Sequence, residues 1–365
     1  MYCQEFTVKS VNKSRYHWIT GAFVFRQTIN RKVDLSRFTD TTRHLTNSGI
    51  PTQGIAFYHQ STLDLLQGLS CSVGLRYDYE HARCDFSKVQ QPLNGNGETK
   101  SLEQFNRSLH FGQFTPRFSM QYLSSHNQLF YASVSKGYKA GGFNVSFLNN
   151  DDYLYSPEYN WNYEIGTKLS FLNNRLSADL SLFYIDWRNQ QITNTIPTVG
   201  NVIRNAGRSR NKGIEASFQA RPTKSWVMYM NYGYTDARFV HYQKEERGIL
   251  KDYEGNYLPM VPRHTFSLTT GYSFYDICSW IDRLTLNAGV SVTGPIYWYE
   301  DNQAKQSPYA LVNLRISINK GCFTWEAWSK NLTNTDYLSY YFVTSKAYAQ
   351  KGKPITLGTS VSISL

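Results

Sequence analysis

The chain has 365 residues and a formal net charge of +11, and 16% of its residues are aromatic, including 28 tyrosines and 8 tryptophans. It contains no run of about 18 apolar residues, which excludes a transmembrane helix, and its basic residues are scattered, which argues against a nucleic-acid-binding domain. The five cysteines show no CxxC or Cys/His spacing, so neither a zinc site nor a disulfide framework is predicted.

The N-terminal third consists of short segments in which apolar and polar residues alternate. Alternation with period two predicts β-strands that have one apolar and one polar face. The first ten residues, MYCQEFTVKS, lack the basic start and the apolar stretch of a signal peptide. The predicted strands are QEFTVK (4–9), WITGAFVF (18–25), GIAFYHQST (54–62), LSCSVGLRYDYE (69–80), PRFSMQYL (116–123) and LFYASVS (129–135).

The last of these strands runs into the glycine-rich stretch SVSKGYKAGGFN (133–144). A lysine followed by paired glycines resembles a phosphate-binding loop, but such a loop needs a helix after it. The residues that follow have no helical period. We therefore expect the strand to leave the sheet here and to enter a long connection, in which glycine frees the backbone.

Alternation continues to the C-terminus and brings the total to about 15 strands. Each has close to the ~10 residues that a tilted membrane-spanning strand needs. The remaining segments are NYEIGTKLSF (162–171), LSADLSLFYIDW (176–187), GIEASFQA (213–220), WVMYMNYGY (226–234), RHTFSLTTGYSF (263–274), RLTLNAGVSVT (283–293), YALVNLRISIN (309–319), FTWEAWS (323–329) and GTSVSISL (358–365).

The connections between predicted strands alternate between short and long. The short ones are SSHN (124–127), LNNR (172–175), PTKS (222–225) and NKGC (319–322), and the long ones are 83–108, 139–157, 191–207, 240–262 and 332–353. Short turns on one side and long loops on the other are typical of outer-membrane barrels.

Charged residues inside these segments fall on the polar side of the alternation. This placement avoids the cost of a lipid-facing Arg or Lys, which is about 2–4 kcal/mol at the bilayer midplane. A half-buried soluble sheet would show the same pattern, but aromatic residues at strand ends, such as Trp226, Tyr232 and Tyr234, are typical of membrane interfaces. The sequence favours an all-β, antiparallel up-and-down transmembrane barrel. The charged residues are Arg76, Asp78, Arg117, Glu164, Lys168, Asp179, Glu215, Arg315 and Glu326.

An ordered set of motifs resembles the C-terminal part of TonB-dependent outer-membrane receptors of the siderophore type, and it covers nearly the whole chain. The motifs are QEFTVKS (4–10), GLRYDYE (74–80), YASVSKGYKAGGFN (131–144), PEYNWNYEIGTKLSF (157–171), RLSADLSLFYIDWRNQQI (175–192), NAGRSRNKGIEASF (205–218), NYGYTDARF (231–239), VPRHTFSL (261–268), WEAWSKNLTNTDY (325–337) and GKPITLGTSVSISL (352–365).

The resemblance implies an incomplete barrel. Family barrels have about 22 strands around a plugged lumen, so residues 1–365 are expected to be the C-terminal part, without the plug domain, the coupling box and roughly seven first strands. An up-and-down chain with an odd strand count cannot close in antiparallel fashion, which agrees with this expectation. Leu365 stands where the family usually has a terminal aromatic residue.

The resemblance also implies partners and a location. It implies active uptake of a scarce nutrient, most often a ferric siderophore, at the outer membrane of a Gram-negative bacterium. The full-length protein would be driven by the inner-membrane TonB complex and inserted by the barrel-assembly machinery, among outer-membrane lipid and lipopolysaccharide. No cofactor, no resident metal and no nucleic-acid partner are expected. A passive porin and a truncated, non-functional remnant are the alternatives.

No catalytic constellation is found, so the chain is interpreted as a non-enzyme. The adjacent carboxylates Asp151 and Asp152 are interpreted as solvated loop charges, and the Asp186-Trp187-Arg188 run as rim structure. Neither a GxSxG nor an HExxH motif is present.

Ligand binding is predicted for the outer loops and the rim of the barrel. Arg204, Arg208, Arg210 and Lys212 form a basic stretch suited to an anionic ferric chelate, because guanidinium groups match carboxylate and catecholate oxygens. Tyr297, Trp298 and Tyr299 precede another loop and are predicted to stack on a planar ligand, and Tyr138 and Lys139 end the glycine-rich strand. The alternatives are phosphate contacts to lipopolysaccharide or simple solvation for the basic residues, and an aromatic girdle for the aromatic ones.

Overall fold

The structure is a computed structural model that describes residues 1–11, 14–36, 41–94, 97–196, 199–205, 207–246, 249–343 and 346–364. The terminal Leu365 therefore lies outside the described residues. No helix in these ranges is both long and apolar enough to cross a membrane. All five cysteines are free thiols.

The described chain is built almost entirely from strands. In the first part these are β1 (Tyr2–Lys9), β2 (Tyr16–Leu35), β3 (Thr42–Leu66), β4 (Leu69–Pro92), β5 (Lys100–Leu123), β6 (Leu129–Lys139), β7 (Gly142–Phe143), β8 (Leu154–Tyr155), β9 (Glu158–Phe171), β10 (Leu176–Arg188), β11 (Gln191–Ile196) and β12 (Gly200–Asn205). A single-turn 3-10 helix, Asn150–Tyr153, precedes β8.

The second part continues in the same way. It contains β13 (Arg208–Ala220), β14 (Trp226–His241), β15 (Gln243–Glu246), β16 (Ile249–Asp252), β17 (His264–Cys278), β18 (Ile281–Thr293), β19 (Ile296–Tyr297), β20 (Lys305–Gln306), β21 (Tyr309–Lys320), β22 (Phe323–Lys330), β23 (Leu338–Val343), β24 (Ala347–Lys351) and β25 (Thr356–Ile363).

Fifteen long strands form one antiparallel sheet in the order β1-β2-β3-β4-β5-β6-β9-β10-β13-β14-β17-β18-β21-β22-β25. This confirms the predicted number of strands and their up-and-down order. The other ten strands pair as five short hairpins inside the long connections. One prediction was wrong in detail: the connection placed at 83–108 shrinks to 93–99, because β4 and β5 continue well past the predicted ends.

The chain divides into two compact units. Unit 1 comprises Met1–Met120, Val134–Trp161 and Trp187–Ala206, and unit 2 comprises Gln121–Ser133, Asn162–Asp186 and Gly207–Leu365. Unit 1 therefore holds β1 to β4 and the β11–β12 hairpin, and unit 2 holds β13 to β25.

The strand registers of unit 2 separate an apolar face from a polar face. Met230 of β14 is opposite Leu268, and Leu268 is opposite Val290, so this row runs across the apolar face. The next residue along β14, Asn231, is opposite Ser267 and donates a hydrogen bond to its hydroxyl at 3.2 Å. Because neighbouring residues of a strand point to opposite sides, the predicted alternation is confirmed in this unit.

Unit 1 shows the same division. On the polar face Thr7, Gly21, Tyr58 and Arg76 form one cross-strand row. On the apolar face Phe6, Ala22, Phe57 and Tyr77 form the neighbouring row. The charged residues predicted on the polar side of β4 therefore lie there.

Short turns join the long strands at the end opposite the hairpins. Between β9 and β10 the residues Leu172, Asn173 and Asn174 all have positive φ, from 53° to 64°. Asparagine enters this left-handed region more readily than most residues, which explains why LNNR forms so tight a connection. The turns predicted at 124–127, 172–175 and 222–225 are thus confirmed in position, and the one predicted at 319–322 shortens to 321–322.

Unit 1 has a compact apolar cluster at the hairpin end of the sheet. Cys84 and Phe86 of β4 are buried against Phe143, which lies in the connection after β6. Phe86 stacks on Phe105 of β5 with ring centroids 4.8 Å apart. The connection between β6 and β9 thus folds back onto the strands of its own unit.

Candidate functional site

The polar face of unit 1 carries a network of charges and hydroxyls. Arg76 Nη2 donates to Asp78 Oδ1 at 2.7 Å, and its guanidinium lies 5.9 Å from the ring centroids of both Phe23 and Tyr58. The Tyr58 hydroxyl donates to Glu5 Oε1 at 2.7 Å. Each charge therefore has a partner, and this face is suited to water rather than to hydrocarbon.

The polar face of unit 2 is built in the same way. Ser317 Oγ donates to Glu326 Oε1 at 2.7 Å, and Ser360 Oγ donates to Glu326 Oε2 at 3.4 Å. Arg315 Nη1 lies 4.0 Å from Glu326 Oε1. Glu326, which lies in β22, is thus held by side chains of the two flanking strands, β21 and β25.

The glycine-rich stretch after β6 is shaped by a close approach to Tyr155. A Cβ atom on Gly141 would overlap the Tyr155 carbonyl oxygen, and one on Gly142 would overlap the Tyr155 ring. Glycine is therefore needed at both positions because another backbone segment passes beside them. This supports the interpretation of the stretch as the start of a folded connection.

Asn144 ties this connection to the β11–β12 hairpin. Its Nδ2 donates to the carbonyl oxygens of Asp152 and Ile203, each at 2.8 Å, and its Oδ1 accepts from Ile203 N at 2.8 Å. A single buried amide thus satisfies three backbone groups in two segments that lie about 50 residues apart in sequence.

Asp152 and Arg204 form a bidentate ion pair between the same two segments. Arg204 Nε donates to Asp152 Oδ1 at 2.7 Å, and its Nη2 donates to Oδ2 at 2.8 Å. These bonds from Arg204 lower the pKa of Asp152 below its usual range. The interpretation of Asp152 as a solvated charge was therefore wrong, because its side chain is only 6% exposed.

Tyr138 and Lys139 both lie at the end of β6. The Tyr138 hydroxyl is buried and has no hydrogen-bond partner among the described residues, and the carboxylates of Asp78 and Glu80 lie close enough to interact with it electrostatically. Lys139 Nζ is 3.8 Å from Glu158 Oε1, and its side chain remains 63% exposed. Lys139 is thus open to a ligand, whereas Tyr138 is an enclosed hydroxyl.

The predicted basic loop is strand in the structure, with Arg204 in β12 and the other three residues in β13. Arg208 Nε donates to Asp186 Oδ1 at 2.6 Å, and Lys212 Nζ lies 3.8 Å from Asp236 Oδ2. Arg210 and Lys212 are exposed, and ligand binding by these four residues stays a prediction.

The three predicted aromatic residues have different surroundings. Tyr297 stacks on Tyr257 with ring centroids 5.4 Å apart and an interplanar angle of 6°. Trp298 is only 6% exposed, and Tyr299 accepts a hydrogen bond from Val343 N at 2.6 Å. Trp298 and Tyr299 therefore pack inside the connections, a role that sequence analysis did not foresee, and Tyr297 lies in a more open stack.

Sequence analysis missed the cations around this stack. The guanidinium of Arg238 lies 4.0 Å from the Tyr257 ring centroid, and that of Arg263 lies 4.7 Å from it. Lys305 Nζ lies 6.0 Å from the Tyr297 centroid. The three cations and two rings, from here on the cation–aromatic stack, place positive charge beside aromatic rings in unit 2.

Unit 1 also contains a cavity of about 750 Å³ at the hairpin end of its strands. It is lined chiefly by amide, hydroxyl and basic side chains and includes Gly49, where a Cβ atom would lie 3.3 Å from Asn30 Oδ1. The residues that line it are Asn30, Arg31, Lys32, Asn47, Ser48, Gly49, Asp85, Phe86, Ser87, Gln104, Phe105 and Asn106. No alternation or motif marks these residues in the sequence.

The donor groups do not favour metal chemistry. Within the described ranges, no cluster of three or more His, Cys, Asp or Glu residues could hold a metal ion. The carboxylates with short contacts accept from arginine, lysine, serine, tyrosine and amide side chains and from backbone N–H groups. The arrangement can bind anions.

Comparison with known proteins identifies the family of the chain. A family model described as TonB dependent receptor-like, beta-barrel, matches residues 6–334. The pesticin receptor of Yersinia pestis is 24% identical over 354 residues, which are 93% of this chain and 48% of the relative. The probable TonB-dependent siderophore receptor PiuA of Acinetobacter baumannii is 26% identical over 241 residues, 61% of this chain and 30% of the relative.

Solved structures give the same picture of the fold. The ferric yersiniabactin uptake receptor FyuA from Yersinia pestis superposes with a TM-score of 0.83 at 19% identity, covering 99% of this chain and 53% of that one. The siderophore receptor PiuA from Acinetobacter baumannii gives a TM-score of 0.60 at 17% identity, covering 94% of this chain and 56% of that one. The chain thus spans about half the length of the proteins it resembles.

Proposed function

Because the chain belongs to the TonB-dependent receptor-like β-barrel family, whose members are receptors and transporters of the Gram-negative outer membrane, we propose that it serves the active uptake of a ferric siderophore. The chain would correspond to the C-terminal part of such a receptor barrel. It acts as a transport protein and not as an enzyme.

The observation that carries this proposal is the division of each unit into an apolar and a polar face, together with the family match. The apolar face suits hydrocarbon, and the polar face suits a wet interior that lets a charged chelate pass. The names of similar proteins, among them a siderophore receptor and a ferric yersiniabactin uptake receptor, support the ligand class.

Ligand capture is proposed for groups that remain accessible at the hairpin end. The cation–aromatic stack of unit 2 combines positive charge with aromatic rings, which fits an anionic iron chelate with aromatic rings. Lys139 of unit 1 is a separate candidate. Arg204, Arg208, Arg210 and Lys212 stay candidates for the same role. The inner-membrane TonB complex and the barrel-assembly machinery are the proposed partners of the full-length protein.

Iron uptake in a strain that carries the natural gene tests the proposal. Deletion of the gene is expected to abolish growth on at least one ferric siderophore supplied as the sole iron source. Unchanged growth on every chelate of a representative panel would reject it. With the responsive chelate, a variant carrying Arg204→Ala, Arg208→Ala and Arg210→Ala is expected to bind at least about tenfold more weakly, since each lost charge-assisted hydrogen bond contributes about 1.5–3 kcal/mol. Arg204→Ala alone removes the Asp152 ion pair and shows how much of this loss is structural.

The matched control changes basic residues at the opposite end of β13 and β14. Arg221→Ala with Lys224→Ala removes charge near the short turn and is expected to leave affinity unchanged. If the triple variant bound the chelate as tightly as this control, the three arginines would be excluded as ligand-binding residues.

A passive porin is the second candidate, because hydroxyl and charged side chains on the polar face would also suit an open aqueous pore. Planar-bilayer recordings of the purified chain distinguish the two functions. Stepwise conductance without any dependence of uptake on the TonB complex would favour the porin. Absence of both conductance and chelate uptake would indicate a non-functional remnant.

A further inference from the structure

Two histidines of unit 1 lie side by side on neighbouring strands. His81 belongs to β4 and His110 to β5, and these strands are adjacent in the sheet. The two rings stack with centroids 4.5 Å apart and an interplanar angle of 10°. His81 and His110 are from here on the histidine pair. Their ring nitrogens are thus close together, and imidazole is the commonest metal ligand in proteins.

The histidine pair lies where the apolar face of unit 1 ends. Tyr77 belongs to the apolar row described above, and Tyr79 and His81 follow it on the same side of β4, because every second residue of a strand points the same way. Tyr79 is opposite Ile55, and these side chains are 41% and 37% exposed. His81 is opposite Gln53. The pair therefore belongs to the first polar row beyond the apolar face, toward the hairpin end of the sheet.

Ions in the surrounding water can reach the pair. His110 is exposed and His81 is partly exposed. Within the described ranges, the His81 ring has no hydrogen-bond or ion-pair partner. Further along the same side of β4, Arg83 Nη2 lies 2.9 Å from Asp85 Oδ1. The positive charge of Arg83 is thus compensated and does not repel a cation at the histidines.

A hydrogen bond with Tyr79 orients one of the two rings. The Tyr79 hydroxyl oxygen lies 3.0 Å from His110 Nδ1. A histidine that binds a metal almost always donates its other ring N–H to an oxygen-bearing group, which fixes the orientation and the tautomer of the ring. When Nδ1–H donates to Tyr79, the lone pair of His110 Nε2 is free for an ion. The pair thus contains a ring that is held as metal ligands usually are.

The two rings can bring one nitrogen each to the same ion. Zinc–imidazole bonds of about 2.0–2.1 Å in a tetrahedral arrangement put two ligand nitrogens about 3.3 Å apart. The stacked rings are 4.5 Å apart and nearly parallel, so they have to tilt toward each other when an ion binds. The exposed ring of His110 has room for this tilt.

Two imidazoles favour an exchangeable ion rather than a resident one. Zinc ions held for structure or catalysis have three or four protein ligands, and the described residues contain no cluster of three or more His, Cys, Asp or Glu donors. Imidazole suits copper, zinc and nickel, and a given set of ligands generally binds Cu²⁺ more tightly than Ni²⁺ or Zn²⁺.

We propose that the histidine pair binds an exchangeable divalent transition-metal ion, and Cu²⁺ most tightly. His81 and His110 each supply one imidazole nitrogen, Tyr79 orients the ring of His110, and water completes the coordination. The bound ion joins β4 to β5 at the end of the apolar face. This proposal depends neither on the siderophore nor on the membrane location given under the proposed function.

Binding of Cu²⁺ to the full 365-residue chain in detergent tests the proposal. The chain is first freed of metal with a chelator, Cu²⁺ alone is added, and electron paramagnetic resonance counts the bound ions and their nitrogen ligands. One ion with two imidazole nitrogens is expected. His81→Gln and His110→Gln are each expected to remove the two-nitrogen signal and to weaken binding at least about a hundredfold, because even the loss of an outer partner of a ligand costs about 10- to 100-fold.

His264→Gln is the matched control. The Tyr232 hydroxyl lies 3.0 Å from His264 Nδ1, which repeats the contact between Tyr79 and His110, but no second imidazole stacks on His264 in the part of the chain that the structure describes. This variant is expected to keep the two-nitrogen ion. Tyr79→Phe is expected to keep both nitrogens and to bind about tenfold more weakly.

The melting temperature in detergent separates the loss of a ligand from the loss of the fold. Without metal, the unaltered chain, His81→Gln and His264→Gln are expected to melt at the same temperature. Cu²⁺ is expected to raise the melting temperature of the unaltered chain and of His264→Gln but not that of His81→Gln, since an ion that binds only the folded chain stabilises it.

Three results would overturn the proposal. The first is the absence of an ion with two imidazole nitrogens in the unaltered chain. The second is unchanged affinity in His81→Gln or in His110→Gln. The third is an equal loss in His264→Gln, which would indicate unspecific binding by scattered histidines. Neither growth on a chelate nor chelate binding enters this test, so this proposal and the proposed function fail separately.

Discussion

The Asp152–Arg204 ion pair shows how one buried charge organises a connection. A carboxylate that is 6% exposed is tolerated only when donors surround it, and Asp152 has the Arg204 guanidinium and Leu148 N, the latter 3.2 Å from Oδ2. The pair thereby holds the β6–β9 connection against the β11–β12 hairpin. Arg204 is thus a structural residue whatever else it binds.

Removal of Arg204 is expected to loosen this connection. Arg204→Ala leaves Asp152 buried without its main donor, which costs about 1.5–3 kcal/mol for the lost charge-assisted hydrogen bonds. Backbone amides of residues 143–154 are then expected to exchange hydrogen about ten- to a hundredfold faster, as measured by mass spectrometry. Asp151→Asn, at the exposed neighbour, is the control, and equal exchange in both variants would contradict the structural role.

The same pair predicts an acid-induced change. Because Arg204 lowers the pKa of Asp152, the pair stabilises the connection above the ordinary aspartate pKa of about 3.9, and this stability is lost as pH falls through the lowered pKa. Exchange protection of residues 143–154 is expected to stay constant from neutral pH to about 4, and to drop only below it. Asp152→Asn is expected to remove that drop, and a drop that persists in this variant would point to another group.

Residue identity alone could not reveal this pair. Asp152 follows Asp151 in a polar stretch, which indicates a solvated loop, and its partner lies 52 residues away. Arg204 was grouped with its basic neighbours because they are close in sequence. Only the pairing of β11 with β12 turns its side chain toward Asp152, and that pairing depends on the tertiary structure.

At the level of strands, the alternation of apolar and polar residues was enough to predict the long strands. A period of two residues is a direct consequence of the pleated backbone. The segment 263–274 was predicted as a strand, and β17 (His264–Cys278) contains it almost entirely. The short hairpins were missed because a two-residue strand such as β7 is too short to show any period. Gly141 and Gly142 indicated where the chain leaves β6, but they did not indicate that Tyr155 lies against them.

A charge added to adjacent residues of β17 should have opposite effects on the two faces. Leu268 lies on the apolar face between Met230 and Val290, and Thr269 lies on the polar face between Tyr229 and Gly289. Leu268→Lys is expected to destabilise the lipid-embedded chain by about 2–4 kcal/mol, and Thr269→Lys by less than about 1 kcal/mol. Urea unfolding in lipid vesicles measures both, and a larger effect at Thr269 would reverse the assignment of faces.

At the scale of the whole molecule, the two faces demand an environment that is apolar on one side. Large side chains of the apolar face are exposed, for example Leu286 at 42% and Ile316 at 43%. A soluble monomer rarely exposes a continuous apolar surface of this kind. The alternation of apolar and polar residues and the ordered motifs predicted a membrane-facing surface from the sequence, whereas the cavity of unit 1 and the cation–aromatic stack became visible only in the structure.

The purified chain is therefore expected to need detergent or lipid to stay dispersed. Size-exclusion chromatography in a mild detergent should give a single species, and dilution below the critical micelle concentration should give aggregates. Substitution of Thr269 by Lys, on the polar face, serves as a control that leaves this requirement unchanged. A compact, detergent-free monomer would contradict the membrane interpretation of the apolar face.

The sequential order of the long strands has a kinetic consequence. Every long strand pairs with the next long strand along the chain, so each pairing closes a loop at low entropic cost, and no step waits for a distant segment. The strands can then pair in chain order, one hairpin at a time. A defect in a turn such as LNNR would stop the addition of strands at that turn. The strands that had already paired would stay paired.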